Sequence, residues 1–171
     1  MVKSLEELKS ISTEIRKDIV KMLTESASGH PGGSLSAADI MTVLFFKEMN
    51  IDPKNEKDPN RDRFVLSKGH AAPVLYSTLA RRGYFPVEEL LTLRKFKSRL
   101  QGHPSIQYLP GIDMSTGSLG QGISAAVGMA LAGKIDKKLS KSRRRAAGGE
   151  AAGDQSSSWY WRELITRSTN S

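Results

Sequence analysis

Apolar residues Leu5, Leu8, Ile11, Ile15, Ile19 and Leu23 recur at intervals of three and four, the period of a helix with one apolar face. Ser4 followed by Glu7 is a capping-box pair that starts such a helix. The pattern predicts a helix to about Ser26 that stops near Gly29-His30-Pro31-Gly32-Gly33. Ser36 with Asp39 opens a second helix, whose stripe includes Ile40, Val43 and Leu44. Residues 51–63 are polar, carry Pro53 and Pro59, and read as a loop. Arg63-Phe64-Val65-Leu66-Ser67 is the best strand candidate, short and β-favouring. Gly69-His70 leads into a helix bearing Val74, Leu75 and Leu79 that ends near Gly83. Pro86-Val87-Glu88-Glu89 suits the first turn of another, to about Phe96. Residues 98–116 read as a loop.

From Leu119 to about Asp136 the chain reads as a helix rich in Gly, Ala and Ser. Gly120, Ser124, Gly128 and Ala132 recur every four residues and leave one face nearly bare for close approach by another element. After Lys138 the character changes. A basic run through Arg143-Arg144-Arg145 precedes a stretch made mostly of Ala, Gly and Ser, and Trp159 and Trp161 follow. Residues 139–171 hold no sustained period and read as a divergent, mostly disordered tail, with a short helix around Trp161 to Thr166. The chain therefore divides into one domain over residues 1–138 and that tail.

Composition narrows the choice of function. There are no cysteines, so neither a disulfide framework nor a thiolate metal site is available. No apolar run approaches the ~20 residues of a membrane span, and the N-terminus lacks a signal peptide's apolar stretch, so a cytoplasmic protein is expected. The net charge of +8 invites a nucleic-acid reading. Residues 1–138, however, intersperse 20 basic with 15 acidic groups, and the tail adds 6 and 3. Such a mixed surface argues against nucleic acid and suits a phosphorylated ligand.

The chain has three histidines, and each sits beside Gly or Pro: Gly29-His30-Pro31, Gly69-His70-Ala71 and Gly102-His103-Pro104. Glycines let the backbone crowd a ligand, and an imidazole can donate to an anionic oxygen or shuttle a proton. Taken singly, each also reads as a turn with an exposed ring. All three in such settings point towards a site. Zinc is disfavoured, because no His-x-x-x-His spacing and no cysteine is present. Thr116-Gly117-Ser118-Leu119-Gly120-Gln121-Gly122 opens the last helix, where free N–H groups favour phosphate. Its glycine order is Gly-x-x-Gly-x-Gly rather than the dinucleotide pattern, and it reads equally as a tight loop entering a closely packed helix.

Together, His30-Pro31-Gly32-Gly33-Ser34-Leu35-Ser36, Leu66-Ser67-Lys68-Gly69-His70-Ala71, Gly102-His103-Pro104 and Thr116-Gly117-Ser118-Leu119-Gly120-Gln121-Gly122-Ile123 resemble the N-terminal thiamine-diphosphate domain of transketolases, in order and in spacing. The resemblance covers about residues 5–138. It is nearest in form to the split bacterial and archaeal enzymes, whose two cofactor-binding domains are separate subunits. The implied fold is the α/β thiamine-diphosphate-binding fold, truncated and so mostly helical here. The implied activity moves a two-carbon ketol unit between sugar phosphates, the chemistry of the pentose phosphate pathway. The resemblance places His70 on the cofactor diphosphate, with Gly117, Ser118 and Leu119 against the cofactor through backbone. It points His30 and His103 at the substrate as aids to proton transfer. A C-terminal subunit in a homo- or hetero-oligomer is the implied partner, with no nucleic acid and no membrane.

In the family, Mg²⁺ or Ca²⁺ offsets the diphosphate charge, held by a Gly-Asp-Gly-Glu motif and a later Asn. The first motif would fall near residue 148, where the chain reads Ala147-Gly148-Gly149-Glu150, without the Asp. Gly153-Asp154-Gln155 is a poor imitation with no apolar strand before it. The metal ligands are thus expected to be missing from a truncated or frame-disrupted chain, inactive alone. Two alternatives stand beside this reading. One is a non-catalytic remnant of a transketolase or of a 1-deoxy-D-xylulose-5-phosphate synthase-like thiamine-diphosphate protein. The other is a basic interaction module acting through the tail.

Overall fold

The structure, a computed structural model, describes residues 3–136, so the readings of the tail lie outside the described residues. Helix α1 spans Leu5–Ser26. Its capping box is complete: the Glu7 N–H donates to Ser4 Oγ at 3.2 Å, and the Ser4 N–H donates to Glu7 Oε2 at 2.7 Å. Two N–H groups that a helix start leaves unpartnered are thereby satisfied. Leu8, Ile15, Ile19 and Met22 are buried along one face. That face packs on α4, Ala72–Arg82, the central element, in which every residue from Ala72 to Ala80 is buried. Pro73 occupies the first turn of α4, where its missing N–H costs nothing, and Gly83 closes the helix at φ +98°. Between α1 and α4, buried Asp18 accepts hydrogen bonds from Ser77 Oγ at 2.7 Å and from the Arg81 guanidinium.

The second predicted helix starts earlier than its capping pattern implied. The segment where the first helix was expected to stop opens the next: His30 is the N-cap of α2, Pro31–Leu35, with Pro31 at its first position. Ser36 is the C-cap of that turn, and its hydroxyl donates to Gly33 O at 3.3 Å. Helix α3, Ala38–Val43, continues into a wide π-turn over Leu44–Glu48. Asp39 does not return to cap Ser36. Arg16 of α1 holds it with two hydrogen bonds of 2.7 and 2.9 Å, the Ser12 hydroxyl donates to it as well, and the Ser36 N–H goes instead to Gly32 O at 3.0 Å.

Residues 63–66 form neither helix nor strand, Ser67 is a bend, and the described residues contain no sheet. An extended segment becomes a strand only when a neighbour completes its ladder. Here a carboxylate takes the neighbour's place. Asp113, with its side chain 3% exposed, accepts from the Phe64 N–H at 2.8 Å and from the guanidinium groups of Arg61 and Arg63. Phe64, Val65 and Leu66 are buried against the helices while Asp113 holds their backbone.

The helix expected from Pro86 to Phe96 is a 3-10 turn over Val87–Thr92. Val87, Leu90 and Leu93 recur every three residues and meet the core together, the spacing of a helix with three residues per turn. Thr92 Oγ1 donates to Glu89 O, and the backbone then turns sharply through Arg94 at φ +60° and Lys97 at φ +63°. Helix α5 spans Gln121–Ile135, beginning two residues after the predicted start, because Gly120 precedes it in the left-handed conformation. The row Gly120, Ser124, Gly128 and Ala132 faces outwards, contrary to expectation. The close approach is made by the neighbouring row, where Gly122 and Ala126 are buried. A methyl at Gly122 would lie 2.7 Å from Ser67 Cα. Among the described residues no helix is long and apolar enough to cross a membrane.

The Asp113 carboxylate should be the most sensitive single group in this framework. Asp113→Ala strands Arg61, whose side chain is only 10% exposed, and removes the acceptor of the Phe64 N–H. We expect a loss of about 3 kcal/mol, read as a fall in the chemical denaturation midpoint.

Candidate active site

The glycine-flanked motifs converge. The His30 and His70 rings meet edge to face, with centroids 5.5 Å apart. A methyl at Gly33, on α2, would lie 3.0 Å from His70 Nε2, so a larger residue there would require the ring to shift. Gly69, one residue before His70, lies against the peptide joining Thr116 to Gly117. A methyl on it would lie 2.6 Å from Thr116 O and 2.8 Å from Gly117 N. The far side of Gly117 faces the His103 ring, which a methyl on Gly117 would reach at 3.6 Å. His30, His70, His103 and Gly117 therefore border one region, reached from four separate parts of the chain.

Each loop is held from behind. The Tyr76 hydroxyl, buried in α4, lies 2.8 Å from Gln101 O and 3.1 Å from His103 O and shares its proton between them. Burial pushes the Tyr76 pKa well above its ordinary value, so the phenol stays a donor. The Thr116 N–H donates to Pro104 O at 3.3 Å and ties the His103 loop to the glycine-rich turn. Arg94 donates to Ser28 Oγ at 2.7 Å, while its guanidinium lies where a methyl at Gly102 would meet it at 3.0 Å. It thus bridges the approach to His30 and the approach to His103. Ser118 and Leu119, at the helix entry, are both exposed.

The region is cationic or neutral. Lys68 is half-buried, with its ammonium 3.3 Å from Ser36 Oγ. Desolvation lowers the His70 pKa below its ordinary 6.5, and His30, Lys68 and His103 lower it further. Three hydroxyls of the same motifs, Ser34, Ser67 and Thr116, have buried oxygens without a hydrogen-bond partner among the described residues. Buried polar atoms left unpaired are costly, and these three belong to the same motifs as the histidines. Among the described residues no cluster of three or more His, Cys, Asp and Glu could hold a metal ion. Lys68, Tyr76 and Arg94 were not singled out from sequence. Lys68 stands inside a recognisable motif, but its lack of an acidic partner is visible only in three dimensions.

Glycine-spaced imidazoles around an amide-rich helix entry define a phosphate-binding cofactor domain. Residues 8–145 match the family described as transketolase, thiamine diphosphate binding domain, and the chain belongs to that family. It is 52% identical over 122 residues to the 6-deoxy-6-sulfo-D-fructose transketolase subunit of a Clostridium species, covering 71% of this chain and 44% of that one. It is 48% identical over 136 residues to mouse transketolase, covering 80% and 22%. It is 44% identical over 133 residues to an apulose-4-phosphate transketolase subunit of Phocaeicola vulgatus, covering 78% and 47%. Among solved structures, transketolase from Pichia stipitis with sedoheptulose 7-phosphate superposes with a TM-score of 0.69 at 47% identity, covering 73% of this chain and 18% of that one. The Campylobacter jejuni transketolase gives 0.71 at 39% identity, covering 77% and 21%. The chain thus spans less than half the length of each of these relatives. The fold is that of a thiamine-diphosphate-binding domain, and the regular elements of the described residues are all helical.

Two expectations follow from the geometry. Tyr76→Phe leaves the carbonyls of Gln101 and His103 without their donor. It should lower stability by about 1–3 kcal/mol in thermal or chemical unfolding. His70 should titrate below 6.5 in the free chain, with its stabilising contribution complete above that pH and eroded as the pH falls through it. An anion bound beside the ring favours the imidazolium and should move the midpoint upwards. Proton NMR of the imidazole, with and without inorganic pyrophosphate, reads both values.

Proposed function

We propose that this chain supplies the diphosphate-gripping side of a transketolase active site, which transfers a two-carbon ketol unit between sugar phosphates. The observation that carries this is the convergence of His30, His70 and His103 on the peptide at Thr116–Gly117. The residues fit thiamine diphosphate. His70 and the amides at Gly117, Ser118 and Leu119 would hold the diphosphate, with the orphaned hydroxyls of Ser67 and Thr116 as further donors. When bound, the cofactor supplies the electron sink that makes carbon–carbon cleavage accessible.

The chain's own part is to bind, orient and move protons. His30 and His103 border the site from two sides. An imidazole can both accept and donate a hydrogen bond, as the hydroxyls of a bound sugar require. The bare face of Gly33 lies against the ring of His70, Gly69 sets the backbone beside it on the Thr116–Gly117 peptide, and the Tyr76 hydroxyl holds the backbone of His103. A divalent cation, Mg²⁺ or Ca²⁺, would accompany the diphosphate, and no cluster among the described residues supplies its ligands. A second polypeptide carrying the remaining cofactor-binding domain is the partner this reading requires. The names of the bacterial subunit relatives support such a division. Sugar phosphates as substrates and a cytoplasmic location belong to the same proposal.

Calorimetric titration of the full chain with thiamine diphosphate and Mg²⁺ tests the reading, and saturable binding is expected. A chain that releases no heat and shows no shift of melting temperature would be a remnant without a cofactor site. Reconstituted with a C-terminal transketolase subunit, His30→Ala and His103→Ala should bind cofactor normally. Their turnover should fall by roughly 10²–10⁴-fold.

A further inference from the structure

We propose that Arg94 is a positioning residue, its guanidinium setting the separation of the His30 and His103 imidazoles that one sugar must meet together. This rests on the reading of those two histidines as the sugar-facing groups.

The first observation is what the head group spans. Arg94 Nη1 donates to Ser28 Oγ at 2.7 Å. The rest of the guanidinium lies against the bare face of Gly102. A methyl there would sit 3.0 Å from both Nε and Nη2 and 3.1 Å from Cζ, so the whole head group covers that glycine. Ser28 stands two residues before His30, and Gly102 stands immediately before His103. One rigid side chain therefore touches the approaches to both rings.

The second observation is how each approach is held otherwise. Ser28 lies between two left-handed residues, Ala27 at φ +45° and Gly29 at φ +127°, in the bend that delivers His30 from the end of α1. His30 is the N-cap of α2 but makes no capping bond with its side chain, so the helix leaves the ring uncommitted. The Tyr76 hydroxyl holds the 101–103 turn to α4, and the Thr116 N–H holds Pro104 to the glycine-rich turn. Those contacts place His103 relative to α4 and α5. Arg94 places it relative to the bend before His30.

The third observation is how the side chain is aimed. Arg94 adopts φ +60°, a conformation that costs energy for any residue with a Cβ. Its N–H donates to Leu100 O at 2.9 Å and closes the loop that leads to Gly102. Lys95, the next residue, pairs with Glu25 of α1 at 2.6 Å. A glycine would take the Arg94 backbone freely, so the benefit of arginine lies in what its head group reaches. A planar guanidinium with donors in a fixed fork suits a spacer better than a flexible ammonium does. The alternative is that this exposed cation binds the phosphate of a substrate. That role would show in KM for phosphorylated sugars and leave the imidazoles where they are.

The test uses the full chain, alone and reconstituted with a C-terminal transketolase subunit. Arg94→Met and Ser28→Ala remove the span from its two ends, and Arg94→Lys keeps the charge. Each is also made in a His103→Ala background. Arg94→Met should lower kcat by about ten- to a hundredfold, the cost of a reacting group slightly out of place. KM for the sugar, affinity for thiamine diphosphate and melting temperature should stay near wild type, because an exposed hydrogen bond largely replaces one made with water. In the His103→Ala background the further loss should shrink to about threefold or less, since the two residues act through one geometry. Ser28→Ala should show the same pattern, and Arg94→Lys should recover part of the loss. In the free chain at alkaline pH, where the rings are neutral, proton NMR signals of His30 and His103 should both move in Arg94→Met.

A loss repeated in full in the His103→Ala background overturns the assignment. So do imidazole signals that stay in place, or a loss that follows a lowered melting temperature. A raised KM confined to phosphorylated sugars, at unchanged kcat, makes Arg94 a phosphate ligand and overturns it too. A wild-type complex without turnover overturns the reading of the site itself, and the positioning role with it.

Discussion

The contact between Gly69 and the Thr116–Gly117 peptide is the constraint on which the site depends. Two stretches of backbone lie so close there that a single methyl would sit 2.6 Å from a carbonyl oxygen. No side chain at residue 69 could be accommodated by a rotamer change, because the obstacle is main chain rather than a flexible end. This closeness places the His70 ring and the helix-entry amides on one pocket. The Gly122 contact with Ser67 repeats the arrangement inside α5 and brings that helix alongside the same loop. Glycine is required at these positions for space rather than for backbone conformation. Gly120 between them, at φ +84°, is required for conformation.

Around this junction the charges are sorted. Carboxylates are committed to arginines and lysines within the helical framework: Asp18 on Arg81, Asp39 on Arg16 and Asp113 on Arg61. The site itself is bordered by imidazoles, amides, hydroxyls, the Lys68 ammonium and the Arg94 guanidinium. That separation serves two ends. Ion pairs hold the helical elements, and the proposed ligand-facing side would keep a potential that attracts phosphate. The mild basicity of the sequence is thus a local property of the site as well as a property of the surface.

Helix α5 shows a further consequence of scale. Val127, Leu131 and Ile135 recur every four residues and are more than half exposed, beside the equally open row of Gly128 and Ala132. A helix apolar on every side belongs to the interior of a larger body. The chain spans less than half of the relatives described above, and in the described residues only Gly122 and Ala126 of this helix are buried. Its N-terminal turn is therefore tied to the site, while most of its length is open.

Local chemistry alone determined a good deal. Ser4 and Glu7 are three residues apart and must meet once a helix forms, so the start of α1 was legible. Gly83 at the end of α4 was legible for the same reason, as were the four motifs that carry the family resemblance. What failed were features that need a distant partner. Residues 63–67 have the composition of a strand, but Asp113, some fifty positions later, decides that a carboxylate and not a neighbouring strand receives the Phe64 N–H. Asp39 could cap its own helix, but Arg16 was nearer in space. The spacing of Val87, Leu90 and Leu93 fitted two helix types, and the surface they pack on selected the tighter one. The missing partner of Lys68 is of the same kind. Sequence shows which groups a chain possesses and which local bonds are within reach; which distant group arrives first, and which is left without a partner, is settled only when the whole core closes.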